Sequence, residues 1–198
     1  MEATAASPTQ AYPARLDIDY PEELNRLLPL VKWLLLIPHY FALFILYFAA
    51  MFAAIAAAFA VLFTGYYPPA LFGFQLGVMR WWFRVTAYMY LMTDRYPPFS
   101  LVEEPGDPVR VEIEYPEDGV ERWRPFVAWL LAIPYLIAAT VIGYIAQILV
   151  FFAFFAILFT KRFPRGMFDI VLVSQRWYLR GYAYALFMVK RYPPFVWD

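Results

Sequence analysis

The stretch Arg80-Trp81-Trp82-Phe83-Arg84, followed in the same segment by Arg95-Tyr96-Pro97-Pro98-Phe99, decides how this chain is read. It recurs 96 residues later as Arg176-Trp177-Tyr178-Leu179-Arg180 and Arg191-Tyr192-Pro193-Pro194-Phe195. Outward from it, Pro29 to Phe99 aligns without a gap on Pro125 to Phe195, with 29 identities in 71 positions. Leu62-Phe63-Thr64 matches Leu158-Phe159-Thr160, Pro68 matches Pro164, and Ile37-Pro38 matches Ile133-Pro134. Self-similarity at a fixed offset marks a duplicated structural unit. The division predicted is a disordered tail at 1–14, a first repeat at 15–99, a linker at 100–109 and a second repeat at 110–198.

Each unit opens with alternating residues, Arg15-Leu16-Asp17-Ile18-Asp19-Tyr20 and Arg110-Val111-Glu112-Ile113-Glu114-Tyr115. That is the period of a half-buried strand. Tyr-Pro breaks the strand, and acidic neighbours of a proline suit the first turn of a helix. A short interfacial helix is expected over about 22–37 and 119–133, with kinks at Pro38 and Pro134. Gly and Pro in 65–69 and 161–166 predict turns. A second helix is expected over about 70–93 and 167–189.

Charge is segregated along the chain. Its 198 residues carry 16 Lys+Arg and 16 Asp+Glu, a net charge of zero, with 63% apolar and only 16% charged residues. Soluble domains are about 25% charged. Residues 33–79 include no Asp, Glu, Lys or Arg, a run of 47, and residues 125–160 form a second run of 36. About 20 apolar residues cross the hydrocarbon of a bilayer, so both runs are long enough. The expectation is an all-α polytopic membrane protein. It has two tandem two-helix repeats in the same orientation, four spans, short interfacial helices and a small cytoplasmic β element.

Composition also excludes functions. Zero net charge argues against a nucleic-acid binder carried by bulk positive charge, and the apolar content argues against a disordered chain. With no Cys, disulfides, thiolate nucleophiles and Cys-ligated metals are unavailable. His39 is the single histidine and aligns with Tyr135, so the repeat does not require an imidazole there. Ser7, Ser100 and Ser174 have no candidate base, and no Gly-rich phosphate loop occurs. No catalytic residue, cofactor or metal is expected. The acidic residues between Glu103 and Glu121 read as a solvated linker and strand face.

The residues that call for an explanation are Arg80, Arg84, Arg176 and Arg180. Ten residues into a helix at 1.5 Å per residue, Arg80 would lie near mid-bilayer, where an arginine costs roughly 2.5–3.5 kcal/mol. Helical geometry puts Gly73, Gly77, Arg80, Arg84, Ala87 and Leu91 on one stripe, matched by Asp169, Val173, Arg176, Arg180, Ala183 and Phe187. Small residues beside polar ones suggest a face turned towards another helix, with Asp169 as partner of Arg176. Three readings follow: structural arginines, helices lying in the interface with arginines on lipid phosphates, or arginines lining a polar path or an anionic-headgroup site. Interfacial helices would put the two strands on opposite sides of the membrane and stop them from pairing.

Leu-Phe-Thr before an aromatic-Pro turn, Arg-Trp-x-x-Arg in the following helix and a terminal Arg-Tyr-Pro-Pro-Phe together resemble a bacterial membrane-protein family known as a domain of unknown function. That family's Gly-aromatic-Pro-Arg-Gly turn is split here between Gly65 and Arg165-Gly166, and its Phe-Asp pair is kept as Phe168-Asp169 but replaced by Phe72-Gly73. The resemblance implies a bacterial envelope location and no activity. Nine cations on the side of the termini and linker against three in the turns place both termini in the cytoplasm, at the inner membrane. Tyr96, Pro97, Pro98 and Phe99, with Tyr192, Pro193, Pro194 and Phe195, read as caps packed against the headgroup layer. The function expected is a non-catalytic subunit or scaffold of a membrane complex. Its partners would be membrane lipids and other membrane subunits or a second copy. A small transporter, channel or lipid-binding protein using the arginines is the alternative.

Overall fold

A computed structural model describes residues 12–197. It contains β1 (Ala14–Ile18), α1 (Leu28–Leu35), α2 (Ile37–Thr64), α3 (Pro69–Met89), β2 (Val109–Ile113), α4 (Arg124–Thr160) and α5 (Arg165–Ala185). Each alternating stretch forms a strand, and β1 pairs antiparallel with β2 about the central pair Leu16 and Val111. The alternation works as its period demands. Ala14, Leu16, Ile18, Val109, Val111 and Ile113 are buried, while Arg15 opposes Glu112 and Asp17 opposes Arg110 on the outer face.

Three layers result. The sheet covers α3 and α5, with β1 on α5 and β2 on α3; α2 lies behind α3, and α4 behind α5. Most of α3 and α5 is buried between the other two layers. Phe83 and Leu179, equivalent positions of the two units, are 2% and 0% exposed and join the core beneath the strands. Each helical hairpin is antiparallel: Lys32 meets Thr93, Trp81 meets His39 and Gln75 meets Ala50 in the first, and Arg124 meets Val189 and Gly143 meets Tyr178 in the second.

The repeat motifs have local physical causes. Thr64 and Thr160 donate their hydroxyls to Ala60 O and Ala156 O and accept the amides of Tyr66 and Arg162. Between them Gly65 and Lys161 are left-handed, at φ +80° and +61°, so Leu-Phe-Thr is a C-terminal helix stop. Pro68 and Pro164 then stand extended immediately before α3 and α5. Both second helices end in one device: Leu91 and Phe187 are left-handed, and Met92 and Met188 donate to Ala87 O and Ala183 O.

The structure corrects several expectations. The units run antiparallel to each other; they are related by an approximate two-fold axis through the Leu16–Val111 pair, and each strand packs on the other unit's helix. Equivalent bonds cross between units in both directions. Leu24 N–H donates to Lys161 O and Val120 N–H to Gly65 O. The Tyr20 hydroxyl donates to Phe163 O and the Tyr115 hydroxyl to Tyr67 O. Each turn therefore sits beside the start of the other unit.

The interfacial helix of the first unit begins at Leu28 and not at Glu22, because Asn25 turns the chain there, its side chain accepting from Leu27 and Leu28 N–H. Leu36 separates α1 from α2, whereas α4 runs through Pro134 unbroken. Residues 1–11 of the expected tail lie outside the described residues, but Tyr12 is buried with its hydroxyl on Arg191 O, and Ala14 opens β1.

Candidate functional site

The arginine stripes face the sheet and the linker, not another helix. Asp19 N–H donates to Pro108 O and Glu114 N–H to Pro13 O, which makes Leu16 and Val111 a non-hydrogen-bonded pair. Their carbonyls therefore point away from the ladder, and both strands are edges with backbone groups to satisfy. Arg176 Nε donates to Leu16 O at 2.8 Å, and Arg80 Nε to Val111 O at 3.1 Å. Each guanidinium also meets a carboxylate: Arg176 with Asp17 at 2.7 Å and Arg80 with Glu103 at 3.3 Å.

Arg84 and Arg180 lie deeper. Arg84 donates to Ser100 O and Val102 O and forms an ion pair at 2.7 Å with Asp107, both side chains being almost fully buried. Asp107 in turn accepts Val109 N–H, so this pair anchors the linker at the start of β2. Gly77 allows the linker to pass, since a Cβ there would sit 2.8 Å from Leu101 O. Arg180 is buried with its guanidinium 5.7 Å from the centre of the Tyr12 ring. Burial holds the Tyr12 hydroxyl well above the ordinary tyrosine range, which keeps it a donor.

Asp169 is exposed on the first turns of α5, and the carboxylate beside Arg176 is Asp17. Spacing along one helix pointed to Asp169; the strand that brings Asp17 belongs to the other unit and is 159 residues away.

The Tyr-Pro-Pro-Phe segments fold back onto their own hairpins. Phe99 stacks on His39 at 3.9 Å and meets Trp81 edge-on, while Phe195 packs on Tyr135 and Trp177. Tyr96 donates its hydroxyl to Leu35 O. These segments clamp the open end of each hairpin, and Tyr96, Phe99, Tyr192 and Phe195 keep part of their rings exposed. His39 is fully buried and accepts from Trp81 Nε1 at 3.0 Å, and its Nε2 has no partner among the described residues. Tyr135 takes its place in the second unit, with Trp177 Nε1 donating to Val196 O.

Two buried cations went unnoticed at the level of sequence. Lys32 Nζ donates to Thr93 O at 2.7 Å, meets Asp94 at 2.8 Å and lies over the Tyr88 ring. Arg124 donates to Val189 O, the equivalent carbonyl, beside Glu121 at 2.6 Å and over the equivalent ring of Tyr184. Lys32 aligns with Ala128, so the two cations reach the same place from positions one helical turn apart. The signal available was a single cation near the start of each long helix, opposite the segment that follows α3 or α5.

Among the described residues no three His, Cys, Asp or Glu side chains group as metal ligands. What Arg80, Arg84 and Arg176 do chemically is hold backbone carbonyls and carboxylates. Comparison with protein families agrees with the duplication: the model described as Domain of unknown function (DUF4389) matches residues 28–100 and again 122–196. The chain belongs to the DUF4389 family. Each match of DUF4389 begins at or near the first long helix of a unit and ends with Tyr-Pro-Pro-Phe, leaving β1 and β2 outside. No curated protein and no solved structure matches the chain.

Proposed function

We propose that this chain is a non-catalytic membrane protein that serves as a scaffold or subunit within a larger membrane assembly. One observation carries the membrane part. Leu28–Thr64 and Arg124–Thr160 are each 37 residues long, strongly apolar and only 11% and 28% buried over their most apolar windows. Side chains such as Phe41, Phe52, Phe151 and Phe159 are more than half exposed, a surface that lipid rather than water would cover. Arg80, Arg84 and Arg176 support the scaffold part, since their donors meet strand and linker carbonyls and carboxylates.

The competing transporter or channel reading places the same arginines along a conduction path. Reconstituting the chain and its Arg80→Leu/Arg176→Leu variant in liposomes separates the two. The scaffold reading expects a lowered unfolding midpoint in the variant and no ion flux in either protein. Flux in the parent that the variant loses at an unchanged midpoint would establish the channel.

A further inference from the structure

We infer that the molecule lies flat in one leaflet, with α2 and α4 in the hydrocarbon and the sheet, both turns and both unit starts facing the same aqueous side. This rests on the membrane reading above and replaces four crossings with none. The Leu16–Val111 pair sits against Arg80 and Arg176, which lie at the middles of α3 and α5. The middle of α3 in turn lies against the middle of α2, where Gln75 meets Ala50. If the helices stood upright, the outer face of the sheet would fall at mid-bilayer. Arg15, Asp17, Arg110 and Glu112 would then face hydrocarbon, where ionised groups are expelled.

Length and charge agree with the flat arrangement. A 37-residue helix is about 55 Å long, against about 30 Å of hydrocarbon. Both ends of the hairpin layer carry charge. At one end, the Gly65 turn lies against Val120 and Arg122; at the other, Lys161 pairs with Glu23 at 2.7 Å and Arg165 with Glu22 at 3.2 Å. Rotating the long axis into the membrane plane puts all of these groups on the water side and the uncharged layer on the lipid side. The partner is a lipid leaflet because the two faces are complementary in charge to water and to acyl chains, respectively.

The chain has no Cys, so single cysteines can report sides directly. Tyr66→Cys and Glu117→Cys mark one end, Arg26→Cys and Arg162→Cys the other, and Phe52→Cys marks the apolar layer; all five positions are exposed in the isolated chain. Each variant is made in cells, matched to the parent in unfolding midpoint, and treated with a membrane-impermeant maleimide in right-side-out and inverted vesicles. The expected result is labelling of all four end positions from one and the same side, with Phe52→Cys protected from both. Labelling of the two ends from opposite sides overturns the flat arrangement while leaving the membrane reading intact. Release of the chain by an alkaline carbonate wash, or a lipid-free dimer that protects Phe52→Cys in solution, overturns the membrane reading itself and the flat arrangement with it.

Discussion

The two units differ most where their helices meet. In the second unit Gly143 of α4 lies beneath Tyr178 of α5, and a Cβ at Gly143 would come within 2.5 Å of the Tyr178 hydroxyl. Gly181 similarly receives Leu136, so α4 and α5 pack closely along their length. In the first unit the equivalent positions are Tyr47 and Trp82, whose rings stand edge to face at 6.3 Å. Two large rings hold α2 and α3 apart where a glycine lets α4 and α5 close. A cavity of about 420 Å³ remains, lined by Tyr47, Met51, Gln75, Trp82 and, from the second unit, Tyr182 and Leu186. Symmetry is thus kept where strands meet helices and is relaxed between the helices of a hairpin. The first contact must satisfy backbone groups at fixed positions, whereas apolar side chains can fill a gap in many ways.

The strongest test of that contrast is Arg84→Met. It strips the countercharge from buried Asp107 and should lower stability by about 3–5 kcal/mol, read from thermal unfolding in detergent. Adding Asp107→Asn should restore part of the loss. Gly143→Tyr imposes the first unit's spacing on the second and should cost about 2–3 kcal/mol by overpacking. Tyr47→Gly should not close the first hairpin and should cost about 1 kcal/mol from helix propensity. Arg80→Leu and Arg176→Leu should each cost about 1.5 kcal/mol and agree with each other within about 0.5 kcal/mol. A large inequality between them would break the two-fold equivalence of the strand anchors.

Thr64→Val and Thr160→Val, at exposed helix ends, should each cost about 0.5 kcal/mol, measured in the same way. The smallest effect concerns acid. The hydrogen bonds from Arg110 hold the Asp19 carboxyl below its ordinary value. The stabilisation is therefore complete above the unfolded carboxylate pKa of about 3.9 and is lost as pH falls through the lower folded value. Arg110→Leu should remove this dependence from a pH series of unfolding midpoints.

Most elements were legible in the sequence because their signals are local. Alternation gave β1 and β2, absence of charge gave the long helices, and the Thr and Pro of the turns stopped and restarted helices within a few residues of each other. The symmetry relating the units was not legible. An offset of 96 residues reports that two units are alike, but it is the same for units side by side and units inverted. The choice is made by pairs such as Leu16 with Val111 and Arg176 with Asp17, which no spacing along one helix reveals. For the same reason Asp169 looked like a partner, lying on the stripe of Arg176, while the strand of the other unit supplied a nearer one. Charge counting takes unit starts and turns to lie at opposite ends of the helices, whereas each turn here lies beside the other unit's start.

The exchange of strands between units has a consequence for assembly. One unit alone carries both a strand and the helix face that accepts such a strand, which makes its surface self-complementary and isologous. Two separate copies of either half could close upon each other through the contacts that now join 15–99 to 110–198. The linker that Arg84 anchors acts as a tether: it raises the local concentration of one half about the other and adds the Arg84–Asp107 pair and the Asp19–Pro108 bond to the contacts between them. Coexpressed halves should therefore reassemble through the same arginine–carbonyl bonds.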